Sequence, residues 1–168
     1  MYYLAYGSNM HPRRLVGRVE IIDFVGTVRL DGYKLVFKKR SNDGSAKCHL
    51  ELAGGLAEAY GAVFEMSDDQ LRVLDRFEGA GFGYRREQWE ILVHGRPLSV
   101  VVYLASESHL ALDLEPYDWY KRIVLAGARW HGFPEDYIRE ISLVASKVDM
   151  ERGRGYEMEA MLREIEGG

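Results

Sequence analysis

The stretch "MYYLAYGSNM", residues 1–10, changes abruptly from strand-forming residues to small ones at Gly7. The aromatic and aliphatic residues before this point are typical of a β-strand, and Gly7, Ser8 and Asn9 are typical of a tight turn that ends it. Small residues at the end of a strand also leave backbone N–H groups uncovered, and such groups bind carboxylates and phosphates. The stretch therefore predicts a strand and a turn, and leaves open whether the turn is also an anion-binding loop.

Runs of β-branched and aromatic residues fill the first two thirds of the chain and predict further strands. The predicted strands cover residues 2–5, 20–30, 33–39, 46–52, 60–66, 84–93 and 98–105. Turn residues separate them, and Asp31-Gly32 between two of the runs is typical of a two-residue hairpin. We therefore expect an antiparallel sheet or barrel.

Helical patterns interrupt the strands once and then fill the last third of the chain. Ser67 and Gln70 have the spacing of a capping box, and Gly79 ends the helix that they begin. Two later helices are predicted to begin near Pro116 and near Pro134. A final helix is predicted over roughly residues 158–165. No repeat or low-complexity linker divides the chain, so we expect one α+β domain over residues 1–168.

The charged residues argue against a nucleic-acid partner. The 168 residues include 22 basic and 26 acidic side chains, a net charge of −4, whereas binding to a polyanion favours a basic excess. The basic cluster at Lys38, Lys39 and Arg40 follows a strand-like run, so we expect it to be a solvated strand end.

The cysteine and hydropathy patterns favour a cytoplasmic protein. Cys48 is the single cysteine of the sequence, which excludes an internal disulfide. The first residues lack the basic region and long apolar core of a signal peptide. The most apolar run, residues 98–105, is far shorter than the roughly 20 residues that cross a bilayer. We therefore expect no membrane partner.

The sequence lacks the spacing typical of a metal centre or of a nucleophilic dyad. The five histidines are scattered, so no metal is expected. Cys48 and His49 are adjacent, and adjacent side chains on a strand point to opposite faces, which argues against a thiol–imidazole pair. We expect Cys48 to be a half-buried structural residue. Ser8 lacks the Gly-x-Ser-x-Gly setting of a nucleophilic serine.

The stretch "LDRFEGAGFGY", residues 74–84, holds an unusually placed carboxylate. Glu78 directly precedes Gly79, and the last carbonyl groups of a helix disfavour a nearby negative charge. Phe77 and the following glycine segment would partly remove this carboxylate from water, a setting that suits proton transfer. Glu78 is therefore a candidate acid–base residue, with an exposed glutamate at a helix end as the alternative.

Several motifs occur together in the order found in one enzyme family. They are "YGSNM" at 6–10, "VGTVRLDGYKLVF" at 25–37, "AYGAVFEM" at 59–66, "LDRFEG" at 74–79 and "YKRIVLAGARWHGFPEDY" at 120–137. On these residues the chain resembles the γ-glutamylcyclotransferase-like family over nearly its whole length. The resemblance implies a small mixed β-barrel flanked by helices. It also implies an enzyme that cleaves γ-glutamyl amides into 5-oxoproline and a free amine without a cofactor.

The resemblance also implies the residues of the site. The turn formed by Tyr6, Gly7, Ser8 and Asn9 would hold the α-carboxylate of the glutamyl group, and Glu78 would be the catalytic acid–base residue. The family's pocket tyrosines correspond to Tyr84, Tyr103 and Tyr120. Since the chain has eleven tyrosines, filling of the core stays an alternative for each of these three.

The resemblance leaves the substrate branch open. Asn9 in "YGSN" is similar to the members that act on γ-glutamyl amino acids and to bacterial and archaeal relatives, whereas the glutathione-specific and γ-glutamylamine branches usually have Leu there. One alternative enzyme would remove a γ-glutamyl protecting group from a specialised metabolite. Another alternative is a non-enzymatic ligand-binding or interaction protein that keeps the pocket.

The expected partner is a small-molecule γ-glutamyl substrate, and a homodimer stays open.

Arg13 and Arg14 follow the first turn, where a short, solvated surface helix is expected. Steering of an anionic substrate is the alternative role of these two side chains.

Overall fold

The computed structural model describes residues 1–20 and 23–167. The strands in these ranges are β1 (Tyr2–Ala5), β2 (Asp23–Asp31), β3 (Tyr33–Arg40), β4 (Ala46–Leu52), β5 (Glu58–Glu65), β6 (Tyr84–Val93) and β7 (Arg96–Ala105). The α-helices are α1 (Pro12–Val19), α2 (Asp68–Glu78), α3 (Asp118–Trp130), α4 (Glu135–Leu143) and α5 (Arg152–Glu166). Short 3₁₀ turns lie at Ser8–Met10 and Glu107–His109. The α+β class is confirmed.

The strands form one mixed sheet and one separate ladder. The sheet has the order β2-β5-β1-β7-β6, and β3 and β4 form a separate two-stranded ladder. Strand β1 lies at the centre, antiparallel to β5 and parallel to β7. The purely antiparallel sheet favoured by the strand pattern is therefore wrong at the β1–β7 pair, while the mixed character implied by the resemblance is confirmed.

The expected barrel is not closed. In the described part of the chain, the edge strands β2 and β6 are not hydrogen-bonded to each other. A bulge between Phe24 and Gly26 bends β2, and a Cβ on residue 26 would lie 2.5 Å from Nε2 of His94. The His94 side chain therefore packs against the backbone of β2 at this gap, where no backbone ladder is described.

Local sequence signals account for most element bounds. Ser67 and Gln70 form the expected capping box, and Gly79 ends α2 in the left-handed conformation with φ 61°. The predicted strand at 20–30 includes residues 21 and 22, which lie outside the described residues, and β2 is described from Asp23.

Helix α5 begins at Arg152, earlier than the predicted 158. The side chain of Glu151 caps it by accepting hydrogen bonds from the N–H groups of Gly153 and Arg154 at 3.0 and 3.1 Å. The low helix propensity of glycine in this first turn hides the start of the helix in the sequence.

One continuous apolar core joins the sheet to the helices. Its fully buried side chains include Leu4, Phe64, Leu71, Leu74, Ile123 and Leu162. Helix α3 packs closely on the first turn, because Gly127 leaves a position where a Cβ would lie 2.8 Å from Cβ of Met10. The described helices are all too short or too polar to span a lipid bilayer.

Candidate active site

The eight residues implied by the family resemblance line one pocket. Tyr6, Gly7, Ser8, Asn9, Glu78, Tyr84, Tyr103 and Tyr120 are joined there by Tyr3 and Cys48. The pocket is small, with a cavity volume of ≈ 30 Å³. It is therefore well below the roughly 300–1,000 Å³ of common ligand sites.

The turn after β1 presents uncovered backbone N–H groups. Its own hydrogen bond runs from Met10 N–H to Gly7 C=O at 3.1 Å, and among the described residues the N–H groups of Gly7 and Ser8 have no acceptor. Gly7 also packs against β4, since a Cβ there would lie 3.0 Å from Cβ of Cys48. Only a residue without a side chain fits this contact without displacing β4, and the N–H groups then remain available to an anion.

Glu78 is held from one side by two donors. Its Oε1 accepts hydrogen bonds from Nδ2 of Asn9 at 3.0 Å and from Nη1 of Arg18 at 2.8 Å. Both side chains of the Arg18–Glu78 ion pair are only 15% exposed, so the exposed-glutamate alternative is wrong. Oε2 makes no hydrogen bond within the described residues. One oxygen therefore fixes the carboxylate, and the other is open for proton transfer.

Arg18 belongs to helix α1 and was not singled out in the sequence. It also lies over the Phe77 ring, with Cζ 5.1 Å from the ring centre. Its positive charge offsets the unfavourable position of Glu78 at the carbonyl end of α2. Because 60 residues separate the two partners, no local pattern indicates this ion pair.

The pocket tyrosines differ in what their hydroxyl groups do. Tyr6 donates to the Tyr103 carbonyl, and Tyr84 donates to the Cys48 carbonyl at 2.8 Å. The hydroxyl of Tyr120 accepts a hydrogen bond from Cys48 N–H at 3.2 Å. Burial raises the pKa of Tyr6, Tyr84 and Tyr120 well above the ordinary value, so all three are neutral phenols at physiological pH. Tyr6 and Tyr84 therefore use their protons to hold the pocket walls together.

The Tyr103 hydroxyl is also engaged within the protein. It donates to Oδ1 of Asp75 at 2.6 Å, and Oδ2 of Asp75 accepts from Nη1 of Arg86 at 3.1 Å. Burial raises the pKa of Tyr103, and the hydrogen bond to Asp75 adds to this effect. Tyr103 thus contributes its ring to the pocket and its hydroxyl to a polar chain that supports the wall.

Tyr3 is a pocket residue that the sequence analysis missed. Its hydroxyl accepts a hydrogen bond from Nδ2 of Asn9 at 3.0 Å and donates to no described residue. Burial and the nearby charge of Glu78 raise its pKa, so it keeps its proton. The sequence pattern indicates only a core residue of a strand at this position. The hydrogen bond from Asn9 in the turn and the charge of Glu78 in α2 become visible only in the fold.

Cys48 is fully buried and lines the pocket, so the half-buried position expected for it is wrong. Burial raises the pKa of its thiol to about 12, which removes the reactive thiolate at neutral pH. His49 does not pair with it, since Nδ1 of His49 accepts a hydrogen bond from Ala105 N–H at 3.2 Å. Within residues 1–20 and 23–167, no group of three or more His, Cys, Asp or Glu residues is placed to hold a metal ion.

Comparisons with known proteins identify relatives of the whole chain. Residues 3–122 match the family model described as gamma-glutamyl cyclotransferase, AIG2-like. The human gamma-glutamylcyclotransferase is 28% identical over 152 residues, which cover 84% of this chain and 77% of that protein. The mouse gamma-glutamylcyclotransferase is 27% identical over the same shares of both chains.

Solved structures share the fold. A structure named gamma-glutamyl cyclotransferase has a TM-score of 0.79 at 24% identity and covers 98% of both chains. YkqA from Bacillus subtilis has a TM-score of 0.72 at 22% identity, over 88% of this chain and 56% of that one. Because the family model spans well over half of the sequence, the chain belongs to the gamma-glutamyl cyclotransferase, AIG2-like family.

Proposed function

We propose that the protein is a γ-glutamyl cyclotransferase that converts a γ-glutamyl amide into 5-oxoproline and a free amine. The observation that carries this proposal is the Glu78 carboxylate, fixed through one oxygen by Asn9 and Arg18 and open at the other, in the same pocket as uncovered backbone N–H groups. The family relatives with this activity by name support the reaction type.

The turn after β1 would bind the α-carboxylate of the glutamyl group. The N–H groups of Gly7 and Ser8 have no other described acceptor, and hydrogen bonds to a charged oxygen are the stronger kind. Anchoring this end folds the side chain back, so that the α-amine reaches the γ-carbonyl carbon. Such intramolecular positioning supplies much of the rate enhancement.

Glu78 would move the protons. Oε2 accepts a proton from the α-ammonium group, and the resulting amine attacks the γ-carbonyl carbon to form a five-membered ring. Glu78 then returns that proton to the amide nitrogen, and the C–N bond breaks as the oxyanion re-forms the carbonyl. The ring nitrogen gives its second proton to Glu78, which passes it to the departing amine. The substrate supplies its own nucleophile, which agrees with a Cys48 thiol that stays protonated.

The Tyr3 hydroxyl would stabilise the oxyanion that forms on the γ-carbonyl oxygen. Its proton has no acceptor among the described residues, and the hydrogen bond from Asn9 increases its strength as a donor. A neutral, preorganised donor in a buried pocket favours the charge that develops in the transition state.

The test compares Glu78→Gln with Glu90→Gln, a matched change at an exposed position of β6. We measure 5-oxoproline release from γ-glutamyl-L-alanine, γ-glutamyl ethylamide and glutathione, and substrate binding by calorimetry. Glu78→Gln should lower kcat by roughly 10²–10⁴-fold, the usual contribution of general acid–base catalysis, and retain binding. Glu90→Gln should behave like the wild type.

Full turnover by Glu78→Gln would refute the acid–base assignment. A wild-type protein that binds these compounds without releasing 5-oxoproline would instead be the ligand-binding protein considered as the alternative.

A further inference from the structure

The side chain of Asn9 is buried in the pocket and uses only its amino group within the protein. Asn9 is 4% exposed and lies in the 3₁₀ turn after β1. Its Nδ2 donates one hydrogen bond to the Tyr3 hydroxyl and one to Oε1 of Glu78, each at 3.0 Å. Because an amide carries two hydrogens on this nitrogen, both of its donors are engaged.

The carbonyl oxygen of the same side chain has no partner. Oδ1 of Asn9 is buried and accepts no hydrogen bond from the described residues. An amide oxygen can accept two hydrogen bonds, and an unpaired one away from water costs free energy. Buried polar groups are nearly always paired in native proteins, so this exception requires an explanation. Asn9 lines the pocket, where a bound ligand can supply the missing donor.

The charge of Glu78 determines which way the amide of Asn9 points. A half-turn of the amide would exchange Nδ2 and Oδ1 and direct a carbonyl oxygen at the Glu78 carboxylate, and two acceptors repel each other. The Tyr3 hydroxyl can donate or accept, so it favours neither orientation. Oδ1 is therefore an acceptor in the same pocket as Oε2 of Glu78, the oxygen that is open for proton transfer.

We propose that Oδ1 of Asn9 accepts a hydrogen bond from the α-ammonium group of the glutamyl moiety and holds the attacking nitrogen next to Glu78. This inference rests on the proposed cyclotransferase function. An ammonium group has three donors, so one can bind Asn9 while another gives its proton to Glu78. Hydrogen bonds from a charged donor are the stronger kind, and a nitrogen held by two side chains is oriented for attack.

The experiment measures the binding of two ligands that differ only in this ammonium group, γ-glutamyl-L-alanine and glutaryl-L-alanine. Calorimetry is done on Glu78→Gln, so that neither ligand turns over and the charge of Glu78 does not contribute to the difference. The γ-glutamyl compound should bind roughly 10- to 100-fold more tightly, the range for one charged hydrogen bond. When Asn9→Leu is added, this ratio should fall to within about twofold of unity.

Two further variants separate the acceptor of Asn9 from its donors. In the Glu78→Gln background, Asn9→Asp keeps an accepting oxygen and loses both amide hydrogens, so the preference for the ammonium ligand should persist or increase. Tyr3→Phe removes one acceptor of Nδ2 and leaves Oδ1 in place, so the ratio should persist there as well. A residue that only supports the pocket would instead weaken the binding of both ligands equally when replaced.

Equal affinity of the two ligands for Glu78→Gln would overturn the role of Oδ1 without any variant at Asn9. A ratio that Asn9→Leu leaves unchanged would also overturn it, because the ammonium group would then bind elsewhere. Equal weakening of both ligands by Asn9→Leu would reduce Asn9 to a support of the pocket. The proposed function fails separately, since a wild type that releases no 5-oxoproline removes the reaction whatever these binding ratios are.

Discussion

Replacement of Gly7 by Ala should destabilise the protein, because a Cβ between the first turn and β4 would force its neighbours to shift by a few tenths of an ångström. This atom would lie 3.0 Å from Cβ of Cys48 and 3.6 Å from the Tyr120 hydroxyl. Cys48 is held in place, since its N–H and C=O are both hydrogen-bonded to tyrosine hydroxyl groups. Overpacking costs about 1–3 kcal/mol. For a chain of 168 residues, Tm should then fall by roughly 2–12 °C.

The matched control is Gly17→Ala, which makes the same chemical change on helix α1. No atom lies within 4 Å of a Cβ added to Gly17. Alanine is favoured over glycine in a helix, so this variant should gain about 0.5–1 kcal/mol. Urea unfolding of both variants therefore tests the sign as well as the size of the effect. A Gly7→Ala protein as stable as the wild type would refute the tight contact.

A double-mutant cycle identifies the atoms responsible. Cys48→Gly removes the Cβ and Sγ that face residue 7, so in this background Gly7→Ala should cost close to nothing. If the two costs simply add, the contact with Cys48 is not the cause. Gly7→Ala should raise the KM for a γ-glutamyl substrate in the wild-type background, where the added Cβ displaces the turn. It should not raise the KM in the Cys48→Gly background.

Two further predictions concern acid stability and thiol reactivity. Hydrogen bonds from Arg154 lower the pKa of Asp149 from the ordinary 3.8 to about 2. A depressed carboxyl pKa stabilises the fold above about pH 4 and ceases to do so as the pH falls toward 2. Asp149→Asn should therefore lower the free energy of unfolding in urea by roughly 1–2 kcal/mol at pH 7, allowing for solvent screening, and by little near pH 2. An equal loss at both pH values would contradict this. Iodoacetamide at pH 8 should leave native Cys48 unmodified, because burial raises its pKa to about 12. Fast labelling of the native protein, at the rate seen in urea, would show an accessible thiolate instead.

The sequence predicted the elements well where the signal is local. Alternating apolar runs placed the strands within a few residues of their bounds, and Ser67 with Gln70 predicted the start of α2. The open barrel and the parallel β1–β7 pair were not predicted, because strand pairing depends on contacts between distant segments. The register shift between Phe37 and Lys39 in β3 has no recognisable residue pattern and was also not predicted.

The candidate site shows the same division. The family resemblance assembled the turn at Gly7, Glu78 and the three tyrosines, and all of them line one pocket. Their roles in the reaction stay predictions. Arg18 and Tyr3 were missed, since the first acts across 60 residues and the second has the pattern of a core strand residue. The electrostatic partners of a candidate catalytic residue can be identified only when the fold is known.

The central position of β1 determines when the pocket can form. Tyr2 pairs with Glu65 on β5 and with Val100 on β7, so both neighbours of this strand come much later in the chain. Pairings across such long loops form slowly. During translation, the turn that follows β1 waits without its support until β7 has left the ribosome. A nascent chain that has reached Glu78 therefore contains this carboxylate and the turn after β1, yet no pocket, and the pocket is complete only when α3 has added Tyr120.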